Sequence, residues 1–186
     1  GLGDVYKRQV FIWFIYHQFG KSVANGMKMV FHVGLGKNSK LPIRMVPLAV
    51  IGTWTTHLFG GSAGREGVAV QIGAAVSNNV GRLVDKTIDI ENSRKMFLIT
   101  GMAAGFSGLF CTPLAAIFFA LEVLVAGKLE YHALIPATVA SISAAFTSRA
   151  LGLRKFHINI LETLNYHPST YLSLIHISEP TRQAEI

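Results

Sequence analysis

Residues 60–73 read GGSAGREGVAVQIG, and they place an ionisable pair, Arg65 and Glu66, between two apolar stretches. Met45 to Gly64 holds 20 residues without a formal charge, and Gly67 to Gly81 holds 15 more. Roughly 20 apolar residues in a helix cross about 30 Å of hydrocarbon, so the first stretch is long enough to span and the second spans only if it tilts or stops partway. A charge inside such a region is costly and marks a functional position by default. Gly60, Gly61, Gly64 and Gly67 let the chain turn tightly and bring backbone N–H groups close to a ligand. A helix that starts between Glu66 and Val68 aims its positive end, about half an elementary charge, at that place. Such a helix start is an anion site. The alternative is a surface turn whose Arg65 and Glu66 simply reach water.

Further from the loop, the same pattern of short and interrupted apolar segments continues. Phe97 to Leu121 gives 25 uncharged residues broken by Gly105, Gly108 and Pro113, and Tyr131 to Ser148 gives 18 more. Val10 to Gly20 is uncharged and reads as the end of an apolar helix, while Arg82 to Lys95 is the plainly aqueous loop. Leu153 to Tyr171 is polar enough for a loop. The whole chain of 186 residues has 51% apolar and only 15% charged residues, with a net charge of +7. Soluble chains are roughly a quarter charged, so the composition points to a bilayer as the main solvent. Hydrophobic segments of the wrong length, broken by Gly or Pro, are the mark of discontinuous helices that end near the bilayer midplane. The fold expected is therefore all-α, a polytopic membrane helical bundle with discontinuous helices.

Several chemistries are excluded. One Cys makes no internal disulfide and no zinc spacing. His17, His32, His57 and His132 lack the i+4 partner of a helical metal pair, so neither a metal nor a cofactor is expected. Gly20, Lys21 and Ser22 lack the earlier glycine of a P-loop, which would fall at Ile15. Lys21, Lys28, Lys37, Lys40 and Arg44 stand in apolar surroundings without an acid among them, which suits anionic lipid headgroups rather than nucleic acid.

The two ends read differently from the rest. Gly1 to Gln9, GLGDVYKRQ, has a codon spelling whose reverse complement translates as LSLIHISEP, which is Leu172 to Pro180 residue for residue. An inverted repeat of this kind resembles a translated sequencing adapter, and Thr181 to Ile186 reads as its continuation. Residues 1–9 and 172–186 are therefore expected to stand outside the fold. Residues 10–171 are expected to be a partial transmembrane domain from a longer protein, itself without a complete pore.

GREGVAVQIG at 64–73, followed by GMAAGFSGLFCTPLAAIFFALEV at 101–123, resembles the CLC family of anion channels and proton-coupled anion exchangers. The likeness covers about Ser22 to Leu151. It implies a homodimer with one pore per subunit, each built of two inverted helical repeats, of which this chain would hold most of the first. It also implies an integral membrane protein, here of a prokaryotic plasma membrane, that carries a halide and a proton and is not an enzyme. Glu66 resembles the family's gating glutamate, and Gly64, Arg65, Gly67 and Val68 complete the anion loop, with backbone N–H groups near Gly67 and Val68 as donors. Arg65 is equally suited to pair with an acid.

Two departures from the family's usual pattern matter. Val68 stands where most relatives have Pro. The upstream anion loop has as its nearest counterpart Gly26 to Met29, GMKM, with Met27 in place of a Ser hydroxyl. Both resemble the fluoride-exporting branch, so the resemblance implies fluoride/proton antiport, with a chloride channel or chloride/proton exchanger as the alternative. Met27 also suits plain packing in a helix core. Glu122 aligns with the first of two acids found in chloride exchangers, while Val123 fills the second position; Glu122 is thus either a proton relay or a helix-end carboxylate in water. A membrane-embedded enzyme using Arg65 and Glu66 would need a further catalytic acid, His or metal set nearby, and the sequence offers none clearly.

Overall fold

The computed structural model describes residues 25–37, 41–58, 64–84, 93–125 and 127–153, together with positions 10, 13, 14, 17, 18, 20 and 23. Gly60 and Gly61, most of the aqueous loop expected at 82–95, and the stretches 1–9, 154–171 and 172–186 lie outside the described residues. Among the described residues, six α-helices from Gly26 onward follow one another: α1 (Gly26–Gly34), α2 (Met45–Leu58), α3 (Glu66–Val84), α4 (Ser93–Phe110), α5 (Pro113–Glu122) and α6 (Leu134–Ala150). A single 3-10 turn, Tyr131–Ala133, precedes α6. No strand occurs among the described residues. The all-α class follows the sequence expectation.

Three helices carry a proline in their first turn: Pro47 in α2, Pro113 in α5 and Pro136 in α6. There the missing N–H removes no intrahelical bond and the fixed φ favours the start. Lengths depart from the simple reading. The 20 uncharged residues from Met45 yield a helix of only 14, about 21 Å at 1.5 Å per residue. The 15 uncharged residues from Gly67 sit in a helix of 19, extended by Glu66 before them and Arg82 to Val84 after. Among the described residues no helix is long and apolar enough to cross a membrane.

α4 is the central element, packed along α3 on one side and against α5 and α6 on the other. Leu98, Ile99, Met102 and Ala103 of α4 are buried with Val70, Ala74 and Ala75 of α3, and with Ala116, Ala120 and Leu121 of α5. α3 and α4 cross backbone to backbone. A methyl group placed on Gly73 would overlap the carbonyl oxygen of Gly101, and one placed on Gly101 would overlap that of Gly73; at Gly105 it would meet the carbonyl of Ala69. Small residues at helix contacts allow this approach. The outward surface is apolar: Trp54 is 74% exposed, and Ile135, Val139, Ile142 and Phe146 form an exposed stripe along α6.

Gly105 and Gly108 do not break the long apolar segment, as the sequence suggested. α4 runs through both and ends at Phe110, and the break falls at Cys111 and Thr112, where Cys111 takes φ 53°. An interior glycine costs a helix only about 1 kcal/mol, which the close α3–α4 packing offsets. A proline at the start of the next helix excludes the helical conformation from the residue before it. Serine hydroxyls tie the two sides of the break to α6. Ser148 Oγ donates to the Gly108 carbonyl at 2.6 Å, Ser141 Oγ to the Pro113 carbonyl at 3.0 Å, and Ser107 Oγ in turn to the Ser141 carbonyl at 2.7 Å. Elsewhere Asn79 Nδ2 ties the Leu41 carbonyl to α3 at 2.9 Å, and Lys95 Nζ meets Glu130 Oε1 at 2.6 Å.

Two stability outcomes are expected in thermal unfolding of the detergent-solubilised protein. Gly101→Ala should cost about 1–3 kcal/mol through overpacking, whereas Gly108→Ala, whose methyl would sit 3.7 Å from Ala144 Cβ, should be neutral or gain about 0.5–1 kcal/mol of helix preference. Equal melting of the two variants would contradict the close crossing. Ser148→Ala should lose about 1–3 kcal/mol by orphaning the part-buried Gly108 carbonyl; wild-type melting would show that carbonyl to be satisfied elsewhere.

Candidate functional site

Arg65 caps the start of α3: its carbonyl accepts the first intrahelical bond, from Ala69 N at 3.0 Å, and Glu66 is the first residue of the helix. Gly64, Arg65 and Glu66 are exposed, Gly67 and Val68 half-buried, and Val70 buried. The five sequence-derived loop positions thus lie at one helix start, whose first N–H groups have no intrahelical partner. Among the described residues neither Arg65 nor Glu66 has an ion-pair partner.

Directly beside this start lies a cavity of about 280 Å³ lined by Val50, Thr53 and Trp54 of α2, Arg65, Val68, Ala69 and Ile72, and Gly105 and Leu109 of α4. Its wall is mostly apolar, with Arg65 at its margin. Thr53 Oγ1 donates to the Ala49 carbonyl at 2.8 Å, so that hydroxyl hydrogen is used within α2. An anion at the α3 start would meet backbone dipoles and one guanidinium against a low-dielectric wall, an arrangement that strengthens each polar contact.

α1 begins nearby. Asn25 is its N-cap without a side-chain capping bond, and Gly26 takes φ +46°, a conformation that suits glycine. Met27 follows in the first turn, half-buried and packed against the core. What joins the two helix starts is Gln71. Its Nε2 lies 3.4 Å from the position of a Cβ on Gly26 and 3.9 Å from one on Gly67. The sequence reading passed over Gln71; its spacing of four from Gly67, which sets both on one helix face, was the available signal.

Glu122 is elsewhere in the chain's order and in its role. It is the last residue of α5, exposed, and its carboxylate accepts the Gly127 N–H at 3.3 Å. The ion pair of Lys95 with the nearly buried Glu130 lines a separate cavity of about 170 Å³ with Met96, Ile99, His132 and Ala133. Nothing in the sequence links residues 35 apart, so this pair was not legible there. Among the described residues no group of three or more His, Cys, Asp or Glu is placed to hold a metal ion.

The family model described as voltage gated chloride channel matches residues 9–178. A chloride/fluoride channel protein of Pseudomonas syringae pv. tomato is 39% identical over 149 residues, covering 80% of this chain and 32% of its own. The H(+)/Cl(-) exchange transporter ClcA of Salmonella arizonae is 35% identical over 117 residues, 62% of this chain and 22% of its own. Among solved structures, a crystal structure of a CLC-type fluoride/proton antiporter superposes with a TM-score of 0.74 at 44% identity, over 90% of this chain and 42% of that one. The chain spans roughly a quarter to two fifths of the length of these relatives. With the family model covering nearly all of it and the solved fold reproduced, this chain belongs to the voltage gated chloride channel (CLC) family.

Proposed function

We propose that this chain forms part of a membrane transporter that exchanges fluoride for protons, with Glu66 as the gate. The observation that carries the reading is the place of Glu66: an exposed carboxylate on the first residue of α3, without a cationic partner among the described residues, on the turn whose Arg65 and Val68 line an apolar cavity. The solved antiporter at 44% identity supports fluoride as the cargo. Members of the family are membrane proteins, and the exposed Trp54, Ile135 and Phe146 suit a lipid or protein environment. A prokaryotic plasma membrane and a homodimer belong to the same proposal. No covalent bond is made or broken in it, so the protein is read as a transporter and not an enzyme.

The mechanism follows from competition for one place. Ionised, the Glu66 carboxylate is itself an anion and is held by the positive end of α3. A halide reaching the same N–H groups must displace it. Protonation removes the charge that held the side chain there, and the carboxyl swings away as the halide enters. Proton and halide therefore favour the same rearrangement, which couples their movements. Val68 and Gly67 contribute backbone N–H groups with little steric cover, and Arg65 adds charge at the rim without closing the site.

Full-length protein reconstituted in liposomes is expected to move fluoride down its gradient with accompanying proton movement, followed by a fluoride electrode and a pH electrode together. Glu66→Gln, which mimics the protonated state, should abolish the proton movement while halide flux persists. Unchanged flux and coupling in that variant would remove Glu66 from the mechanism. The same assay run with chloride separates the fluoride exporter from a chloride exchanger, and halide flux without any proton movement in the wild type would identify a channel.

A further inference from the structure

We propose that Asn78 binds water inside the protein and that this water is a station on the route by which protons reach Glu66. The inference rests on the transport reading above. α3 carries three consecutive polar side chains, Ser77, Asn78 and Asn79, and the outer two are accounted for. Ser77 Oγ donates to the Phe97 carbonyl of α4, and Asn79 Nδ2 donates to the Leu41 and Ala75 carbonyls at 2.9 and 2.7 Å. Asn78 stands between them, 2% exposed, and among the described residues neither its Oδ1 nor its Nδ2 has a hydrogen-bond partner. Its buried neighbours one turn away on α3 are Ala74, Ala75 and Gly81, none of which brings a polar side chain.

A carboxamide taken out of water with nothing to bond is costly, and buried polar groups are as a rule satisfied by protein or by ordered water. Water suits both atoms at once, because it donates to Oδ1 while accepting from Nδ2, and a buried water needs two or more such partners. A halide would use Nδ2 alone and be repelled by Oδ1, and a hard metal cation would need more oxygen ligands than one amide supplies. Asn78 lies twelve residues after Glu66, about 18 Å along the helix axis. It is thus near the end of α3 that meets the start of α4, where Gly81 packs on the Phe97 ring. The other amide of α3 without a partner among the described residues is Gln71. Seven residues, two helical turns, separate the two amides, so they share one face about 10 Å apart. Between them that face carries Ala74 and Ala75, which add no more than a methyl group each. With links of about 2.8 Å, roughly three hydrogen-bonded waters cover the gap. An amide donates and accepts without titrating. It therefore orders waters along which a proton passes by successive transfers, each water accepting one proton and giving up another, and leaves the acid–base event to Glu66.

The test uses full-length protein in liposomes under a sodium fluoride gradient, with fluoride and pH electrodes recording together. Asn78→Leu keeps the volume and removes both polar atoms. It should lower proton movement by roughly tenfold, the equivalent of one or two lost hydrogen bonds, while the calorimetric fluoride Kd stays at the wild-type value. Its melting temperature should equal or exceed that of wild type, because no orphaned amide enters the core. Asn78→Ser, whose hydroxyl still donates and accepts, should recover most of the proton movement, a rescue that packing alone would not give, since Ser fills the core less well than Leu. In water-edited solid-state NMR, the side-chain amide signal that Asn78→Leu removes should receive magnetisation from water in the wild type. Wild-type proton movement in a folded Asn78→Leu, a dry Asn78 amide, or an Asn78→Ser no better than Asn78→Leu would each overturn the assignment. If Asn78→Leu does not fold, Asn78→Ala takes its place in every comparison. Glu66→Gln is measured alongside: if it loses proton movement while Asn78→Leu keeps it, only the Asn78 inference falls, whereas an unaffected Glu66→Gln removes the transport reading beneath it.

Discussion

Every feature of this fold that bears on function depends on where the backbone's hydrogen-bonding groups go when a helix stops. A helix leaves its first N–H and last C=O groups without intrahelical partners, and irregular backbone in an apolar setting survives only where something satisfies it. The two kinds of end are treated differently. In the last turn of α4 the carbonyl of Gly108 receives a serine hydroxyl from α6. At the start of α1, Asn25 provides no side-chain cap. The carbonyl end of α4 is closed by the protein itself, whereas the first N–H groups near Gly26 and Glu66 have no intrahelical partner.

The glycines serve the same division. At Gly73, Gly101 and Gly105 the absence of a side chain lets α3 and α4 touch through their backbones, which fixes α3 firmly along most of its length. At Gly26 and Gly67 the space is not filled by another backbone but borders the amide of Gln71. Rigidity in the body of α3 and open space at its start are complementary requirements. A helix free to slide would not hold its N–H groups at a constant place relative to those of α1.

Much of this was legible in the sequence. Uncharged runs of awkward length announced discontinuous helices, and Glu66 preceded by Gly64 and Arg65 announced a helix start, because charge, glycine and apolar periodicity are local signals. Partnership was not. Gly101 and Gly105 suggest a small-residue face, but nothing local says that Gly73 meets it. Gly105 and Gly108 looked like breaks because an isolated helix would weaken there, yet packing on α3 and α6 overrides that cost. The true break, at Cys111, follows from Pro113 and is tolerated only because Ser141 and Ser148 lie opposite, some thirty residues later. Gln71 escaped notice for the same reason: its meaning comes from Gly26, a residue of another helix.

The ionisable side chains sort by whether the protein partners them. Glu130 is nearly buried, and Lys95 Nζ stands 2.6 Å from its carboxylate. Removing one member of such a pair leaves an uncompensated charge, commonly at a cost of about 3–5 kcal/mol, so evolution can hardly use either group to do something else. Glu122, exposed, accepts the Gly127 N–H at the end of α5. Arg65 and Glu66 differ from both. They sit side by side at a helix start, Arg65 lining an apolar cavity, and neither takes a counter-ion among the described residues. A charge whose structural obligations are already met is a fixture, whereas one left without a partner beside unpaired backbone donors is free to exchange places with a ligand of like charge. Under the proposed gating role, that freedom, more than acidity alone, is what lets Glu66 compete with a halide.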